Sequence, residues 1–224
     1  MNYEIIGGNL PVAVCKLQRG EDVCCESGAM SWMDDGIKMN TEGGGLGKMF
    51  GRAFSGESMF RNRYVAERPG EIAFASKFPG EIKAIELKGR SVIAQKKCLL
   101  AYDSSVDIKV HFQKKFSAGF FGGEGFIMQK FSGNGTVLLE VDGSAVEYEL
   151  KAGERKIVNT GYLVMMDDTC SMSVETVKGV KNVLLGGEGI FNTVITGPGR
   201  VVLQTMPLAQ TAALLYSMMP HNNG

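Results

Sequence analysis

The amino-acid sequence predicts an all-β protein, a β-sandwich or barrel of three tandem β modules followed by a short C-terminal helix, on three observations. Short apolar runs alternate with polar residues at a period of two, as strands with one buried and one wet face require. Glycine supplies 30 of the 224 residues, nearly twice the usual share of about 7%, and it takes the positive φ angles of tight turns without steric cost. The third observation is an internal repeat with a step of 64 residues.

Residues 81–140 align with 145–204 without a gap, and 14 of the 60 positions are identical, against roughly four expected by chance. The matches fall on punctuation. Gly89, Asp103, Glu124 and Gly135 meet Gly153, Asp167, Glu188 and Gly199, and the first third carries Gly20, Asp34, Glu57 and Gly70 in the same order. The first glycine and the aspartate stand 14 residues apart in all three copies. Two small insertions, within 43–51 and near 66–69, lengthen the first copy. The expected boundaries are a first module with an N-terminal strand over 1–78, a second over 79–142, a third over 143–206, and a helix with a tail over 207–224.

The elements follow in order. Tyr3–Ile6 reads as a strand available to cover a sheet edge. The Gly-rich stretch 44–54 admits a short helix or an ordered loop. Val106, Ile108, Val110 and Phe112 alternate with Asp107, Lys109 and His111, and Val146, Tyr148 and Leu150 with Glu147 and Glu149. Both runs predict strands with an apolar face turned inward. Pro207 and Pro220 bracket LAQTAALLYSMM, a helix between two proline signals. It is expected to dock on a sheet edge or on a neighbouring chain.

Composition excludes several chemistries. Lys and Arg number 24 and Asp and Glu number 24, and this balance argues against a nucleic-acid surface, which usually carries a basic excess. The opening MNYEIIGGNLPVAVCKL lacks a basic n-region and a long apolar run, so a cytoplasmic protein is expected, with peripheral membrane contact as its variant. Cys15, Cys24, Cys25, Cys98 and Cys170 form no CxxC pair and read as reduced, buried thiols. With only His111 and His221 available, no metal site is expected, and no cofactor. GGGLGKM at 43–49 departs from the phosphate-loop spacing, since Met49 follows Lys48. SGES at 55–58 lacks the pattern of a serine nucleophile, and neither histidine reads as its base. No catalytic residue, and no enzyme activity, is expected.

Two groups of residues remain. The repeated acids Asp34, Asp103 and Asp167, with Glu57, Glu124 and Glu188, recur once per copy. Recurrence in every copy favours turn carboxylates accepting backbone hydrogen bonds over a catalytic role. In the segment 46–64, Leu46, Met49, Phe50 and Phe54 are interleaved with Lys48, Arg52 and Arg61. That mixture is a candidate interaction surface, with inter-module packing as the competing reading. The aromatic run Phe112, Phe116, Phe120, Phe121 and Phe126 poses the same choice between core and surface.

Three long stretches are familiar: GGGLGKMFGRAFSGESMFRNRYVAERPGEIAFA at 43–75, FPGEI at 78–82 and GGEGIFNTVITGPGRVVLQTMP at 186–207. On these the chain resembles a widespread bacterial family of unknown function, related to a fungal mitochondrial-biogenesis protein of the altered-inheritance-of-mitochondria group. The resemblance implies three tandem modules similar to the tryptophan RNA-binding attenuator protein, a compact double-stranded β-helix. It implies a non-catalytic scaffold or interaction protein, placed by its mitochondrial relatives at a membrane surface. A small-ligand or single-stranded nucleic-acid binding module is the alternative. Self-association through open module edges is expected, as a trimer or another closed oligomer, beside a protein partner that the sequence does not identify.

Overall fold

A computed structural model describes residues 1–40, 61–114, 125–176 and 191–219. It is nearly all β, with one short α-helix at the C-terminal end. The readings placed on 43–60, including a helix or loop over 44–54, lie outside the described residues.

The first group of strands is β1 (Tyr3–Ile6), β2 (Val12–Leu17), β3 (Asp22–Glu26), β4 (Trp32–Met33), β5 (Ile37–Asn40), β6 (Arg61–Ala66) and β7 (Gly70–Ala75). The second is β8 (Gly80–Glu86), β9 (Val92–Gln95), β10 (Leu99–Tyr102), β11 (Val106–Lys114), β12 (Phe126–Gly133) and β13 (Thr136–Asp142). The third is β14 (Ala145–Leu150), β15 (Arg155–Asn159), β16 (Leu163–Asp167), β17 (Ser171–Thr176), β18 (Phe191–Thr196) and β19 (Gly199–Gln204). Helix α1 spans Leu208–Met218.

All the pairings are antiparallel, and one pattern of pairing recurs. β2 pairs with β7, β8 with β13, and β14 with β19. β3 pairs with β6, β9 with β12, and β15 with β18. β4, β10 and β16 pair with β7, β13 and β19. β5, β11 and β17 pair with β6, β12 and β18. Two further pairings, β3 with β10 and β9 with β16, join one group to the next. The result is a four-stranded sheet (β1-β2-β7-β4), two six-stranded sheets (β5-β6-β3-β10-β13-β8 and β11-β12-β9-β16-β19-β14) and a three-stranded sheet (β15-β18-β17). β1 covers the outer edge of β2, with Tyr3 opposite Cys15 and Ile6 opposite Val12.

The sheets stack in that order. One apolar cluster joins the four-stranded sheet to the first six-stranded sheet, through Phe74, Ile72, Tyr64 and Leu138. A second lies between the six-stranded sheets, through Leu99, Tyr102, Phe131 and Val164. A third joins the second six-stranded sheet to the three-stranded sheet, through Phe126, Met128, Val158 and Ile195. β9 and β10 are buried along their whole length. VIA of β9 and LLAY of β10 are correspondingly continuous in apolar residues rather than alternating, and β9 ends in the buried polar Gln95.

Two alternation readings require correction. In β14 only Leu150 is buried, while Val146 and Tyr148 are exposed, because β14 is the edge of its sheet. The Tyr148 ring instead carries the Lys156 ammonium 3.8 Å from its centroid. In β11 Val106 and Ile108 are buried but Val110 is exposed, because a register shift against β12 falls between Val110 and Phe112 and a bulge turns the strand's faces. Among the described residues no side chain of α1 is buried against a sheet edge.

Candidate functional site

The three repeated aspartates occupy one kind of turn. Asp34 Oδ2 accepts from the Glu71 amide at 2.8 Å, Asp103 Oδ2 from Thr136 at 2.6 Å, and Asp167 Oδ2 from Arg200 at 3.0 Å. Each aspartate carbonyl also accepts from the amide three residues on, Ile37, Val106 or Cys170, at 2.9–3.0 Å. The residue before each amide donor is Gly70, Gly135 or Gly199. A Cβ at Gly135 would lie 2.8 Å from Asp103 Cβ, and one at Gly199 2.6 Å from Thr169 Oγ1. The spacing of Asp and Gly seen in the sequence is therefore a fitted pair: the glycine clears the space in which the carboxylate reaches the next strand's amide. In each case one carboxylate oxygen accepts from the backbone and closes the turn. The adjacent acids do not converge. Asp35 pairs with Arg68, which holds its carboxyl below the usual carboxylate range. Asp168 pairs with Lys130 at 2.6 Å.

Of the candidate interaction residues, Arg61 is half-buried, donates to the Ile108 carbonyl at 3.3 Å and stands 5.9 Å from the Tyr102 ring centroid. It packs between strands instead of facing outward. Leu46, Lys48, Met49, Phe50, Arg52 and Phe54 lie outside the described residues, as do Glu57, Glu124 and Glu188. In the second aromatic run Phe126 is fully buried and meets Phe112 edge-on at 6.2 Å, so these two belong to the core. Phe116, Phe120 and Phe121 lie outside the described residues.

The surface feature that the sequence reading undervalued is α1. Its segment, LAQTAALLYSM, has no charged residue, and no side chain in it is buried. Leu208, Leu214, Leu215, Tyr216 and Met218 are exposed. At the start of the helix Asp142 Oδ2 accepts from the Leu208 amide at 2.8 Å, and the Asp142 carbonyl accepts from the Met206 amide at 3.1 Å. Burial pushes the Asp142 carboxyl up, and the Leu208 amide and Lys77 work against that shift. The signal was present in the sequence as the absence of charge from 207 to 219. A helix that covers no core and carries no charge needs another surface to lie on.

Residues 3–206 match the family model described as mitochondrial biogenesis AIM24. The chain belongs to the AIM24 family. It is 29% identical over 218 residues to an uncharacterised protein of Streptococcus pyogenes serotype M6, covering 94% of this chain and 87% of that protein. Its fold is similar to the crystal structure of a Streptococcus pyogenes protein, with a TM-score of 0.81 and 26% identity over 97% of this chain and 99% of that one. The AIM24 match ends at residue 206, before α1 begins.

Among the described residues of this AIM24-family chain, the remaining features are a cleft and the buried thiols. A cleft of about 270 Å³ is lined by Tyr3, Ala84, Ile85, Glu86, Lys88, Arg90 and Arg200. Two of its cations are already paired, Lys88 with Glu86 at 2.6 Å and Arg200 with Asp167 at 3.8 Å. All five cysteines are free thiols and buried. Desolvation pushes Cys15 and Cys25 up to about 12, which suppresses the thiolate that nucleophilic chemistry needs. Among the described residues no three His, Cys, Asp or Glu side chains gather as a metal-binding group, and no helix is long and apolar enough to cross a membrane.

Proposed function

We propose that this AIM24-family chain is a non-catalytic scaffold that works at a membrane surface, with α1 as the element that touches the bilayer. The observation that carries the reading is the exposure of Leu208, Leu214, Leu215, Tyr216 and Met218 on an uncharged helix tied to the fold at its first turn. Eleven residues are too short to span the hydrocarbon core, so the contact assigned to α1 is with the outer layer of the bilayer. Such binding scales with buried apolar area plus attraction to anionic lipid, and α1 supplies the first without the second. The stacked β sheets then form a rigid platform. The recurrence of one pairing pattern supports reading that platform as three attenuator-like modules.

Vesicle flotation tests the proposal. The full chain is expected to float with zwitterionic and anionic vesicles alike, with little loss on raising salt. A chain ending at residue 206 is expected to remain at the bottom of the gradient. A full chain that stays down with both vesicle types overturns the membrane reading. The second reading, a small-ligand or single-stranded nucleic-acid module, rests on the cleft beside Arg90 and Arg200. A mobility shift of a short single strand that is lost in Arg90→Ala would favour it.

A further inference from the structure

The two pairings that join one strand group to the next follow a single rule. In the first, Cys25 lies opposite Ala101 and Cys24 opposite Tyr102. In the second, Ala94 lies opposite Met165, Ile93 opposite Met166 and Val92 opposite Asp167. Cys25 and Ala94 each stand five residues after the group's first glycine, Gly20 or Gly89, and Ala101 and Met165 each stand two residues before its turn aspartate, Asp103 or Asp167. The same rule selects one strand at each end of the stack. β4 carries Trp32, two residues before Asp34, and β15 carries Val158, five residues after Gly153. β4 is the edge of the four-stranded sheet and β15 the edge of the three-stranded sheet.

Burial separates the inner positions from the terminal ones. Ala101 and Met165 are 0% exposed, while Trp32 in the equivalent place is 54% exposed. Tyr102 and Met166 are 4% and 0% exposed, against 36% for Met33. Cys24 and Ile93 are 9% and 0% exposed, against 67% for Ile157. Among the described residues, large apolar side chains thus sit on the two outer edges at the positions that the inner junctions bury. No buried cluster among the described residues joins the three-stranded sheet to the four-stranded one.

We infer that β15 of one chain pairs antiparallel with β4 of a second copy, continuing the junction that β3 makes with β10 and β9 makes with β16. The register follows from the rule: Val158 opposite Trp32, Ile157 opposite Met33, and Lys156 opposite Asp34. The joined sheet has the same strand order as the two six-stranded sheets, with β1 added at its end. The contact is heterologous, since each copy offers a different edge, and such contacts build rings when their rotation closes. It also pairs two open edges that would otherwise invite unspecific pairing.

The test uses the full chain. Ile157→Asp and Met33→Asp change side chains that are already exposed, so each variant should fold with an unchanged circular dichroism spectrum. Light scattering is expected to show a discrete oligomer for the unmodified chain and a monomer for either variant. A mixture of tagged Met33→Cys chains with untagged Ile157→Cys chains should give a disulfide-linked heterodimer on mild oxidation, and neither variant alone should do so. A monomeric unmodified chain, or an oligomer unchanged by both aspartates, overturns the inference. So does a Met33→Cys/Ile157→Cys double variant that forms only an intrachain bridge, since the chain would then close its edges on itself. Vesicle binding through α1 is a separate readout, and the aspartate variants leave it intact.

Discussion

Strand β10 reads Leu99-Leu100-Ala101-Tyr102, and helix α1 contains Ala213-Leu214-Leu215-Tyr216. The two segments share a composition and differ completely in surroundings. β10 is flanked by β3 and β13, and its side chains enter apolar clusters on both faces of its sheet. α1 follows the last strand, is tied down by Asp142 at its first turn, and buries none of its residues. Burial in this chain is therefore a property of position in the stack and not of local apolar content. A Leu inside the stack stabilises the fold through area removed from water and close packing, whereas a Leu on α1 is available to a second surface.

Substitution of equivalent residues is the strongest way to break this comparison. Leu100→Ala removes a fully buried side chain and is expected to cost about 2–5 kcal/mol, as lost transfer energy plus the cavity left behind. Urea denaturation with an unchanged m-value checks it. A cost near zero would show that the first cluster is loose enough to collapse around the gap.

The next expected effect is pH-dependent and confined to the stack. Cys15 and Cys25 lie in the first cluster, and burial raises both from 9.0 to about 12. The folded chain holds these protons over a range in which the unfolded chain has released them. Their contribution to stability is thus fully present below pH 9 and is lost as pH rises toward 12. Between pH 9 and pH 10 each thiol lowers stability by at most about 1.4 kcal/mol. Denaturation midpoints measured across that interval should fall, and Cys15→Ser should flatten the slope. An unchanged slope in that variant would remove Cys15 from the account.

The fold was legible in the sequence wherever the signal was local or repeated. Period-two alternation and turn glycines marked the strands, and the recurring Asp and Gly spacing located turns whose geometry explains it: Gly135 and Gly199 clear the space in which Asp103 and Asp167 reach the next strand. What misled the reading depends on neighbours that lie far away in the chain. The alternation over 146–150 promised a buried face, yet β14 is an edge strand. Val110 followed the pattern, yet the bulge after it breaks the register. The apolar tail suggested docking on a sheet edge or a neighbouring chain, and among the described residues it is not buried. Arg61 carried the same surface signal as its neighbours and packs against the Tyr102 ring instead. Periodicity reports a residue's own preference for burial, and only the pairing order decides whether anything is there to bury it.

The smallest expected effect sharpens the comparison from the helix side. Leu215→Ala alters a residue 58% exposed on α1. Both residues favour helix, so the backbone of α1 should persist. No packed neighbour is lost, no cavity opens, and surface changes of this kind usually stay within about 0.5 kcal/mol. Stability to urea is therefore expected to match that of the unmodified chain, in contrast with Leu100→Ala at a residue of the same type. Flotation with zwitterionic vesicles should nevertheless weaken, because the removed methyl groups belong to the surface assigned to the bilayer, at roughly 0.8 kcal/mol for each CH₂ that the bilayer would have buried. A loss of stability comparable to that of Leu100→Ala would place α1 against the stack after all, and the exposure on which the membrane reading depends would then be withdrawn.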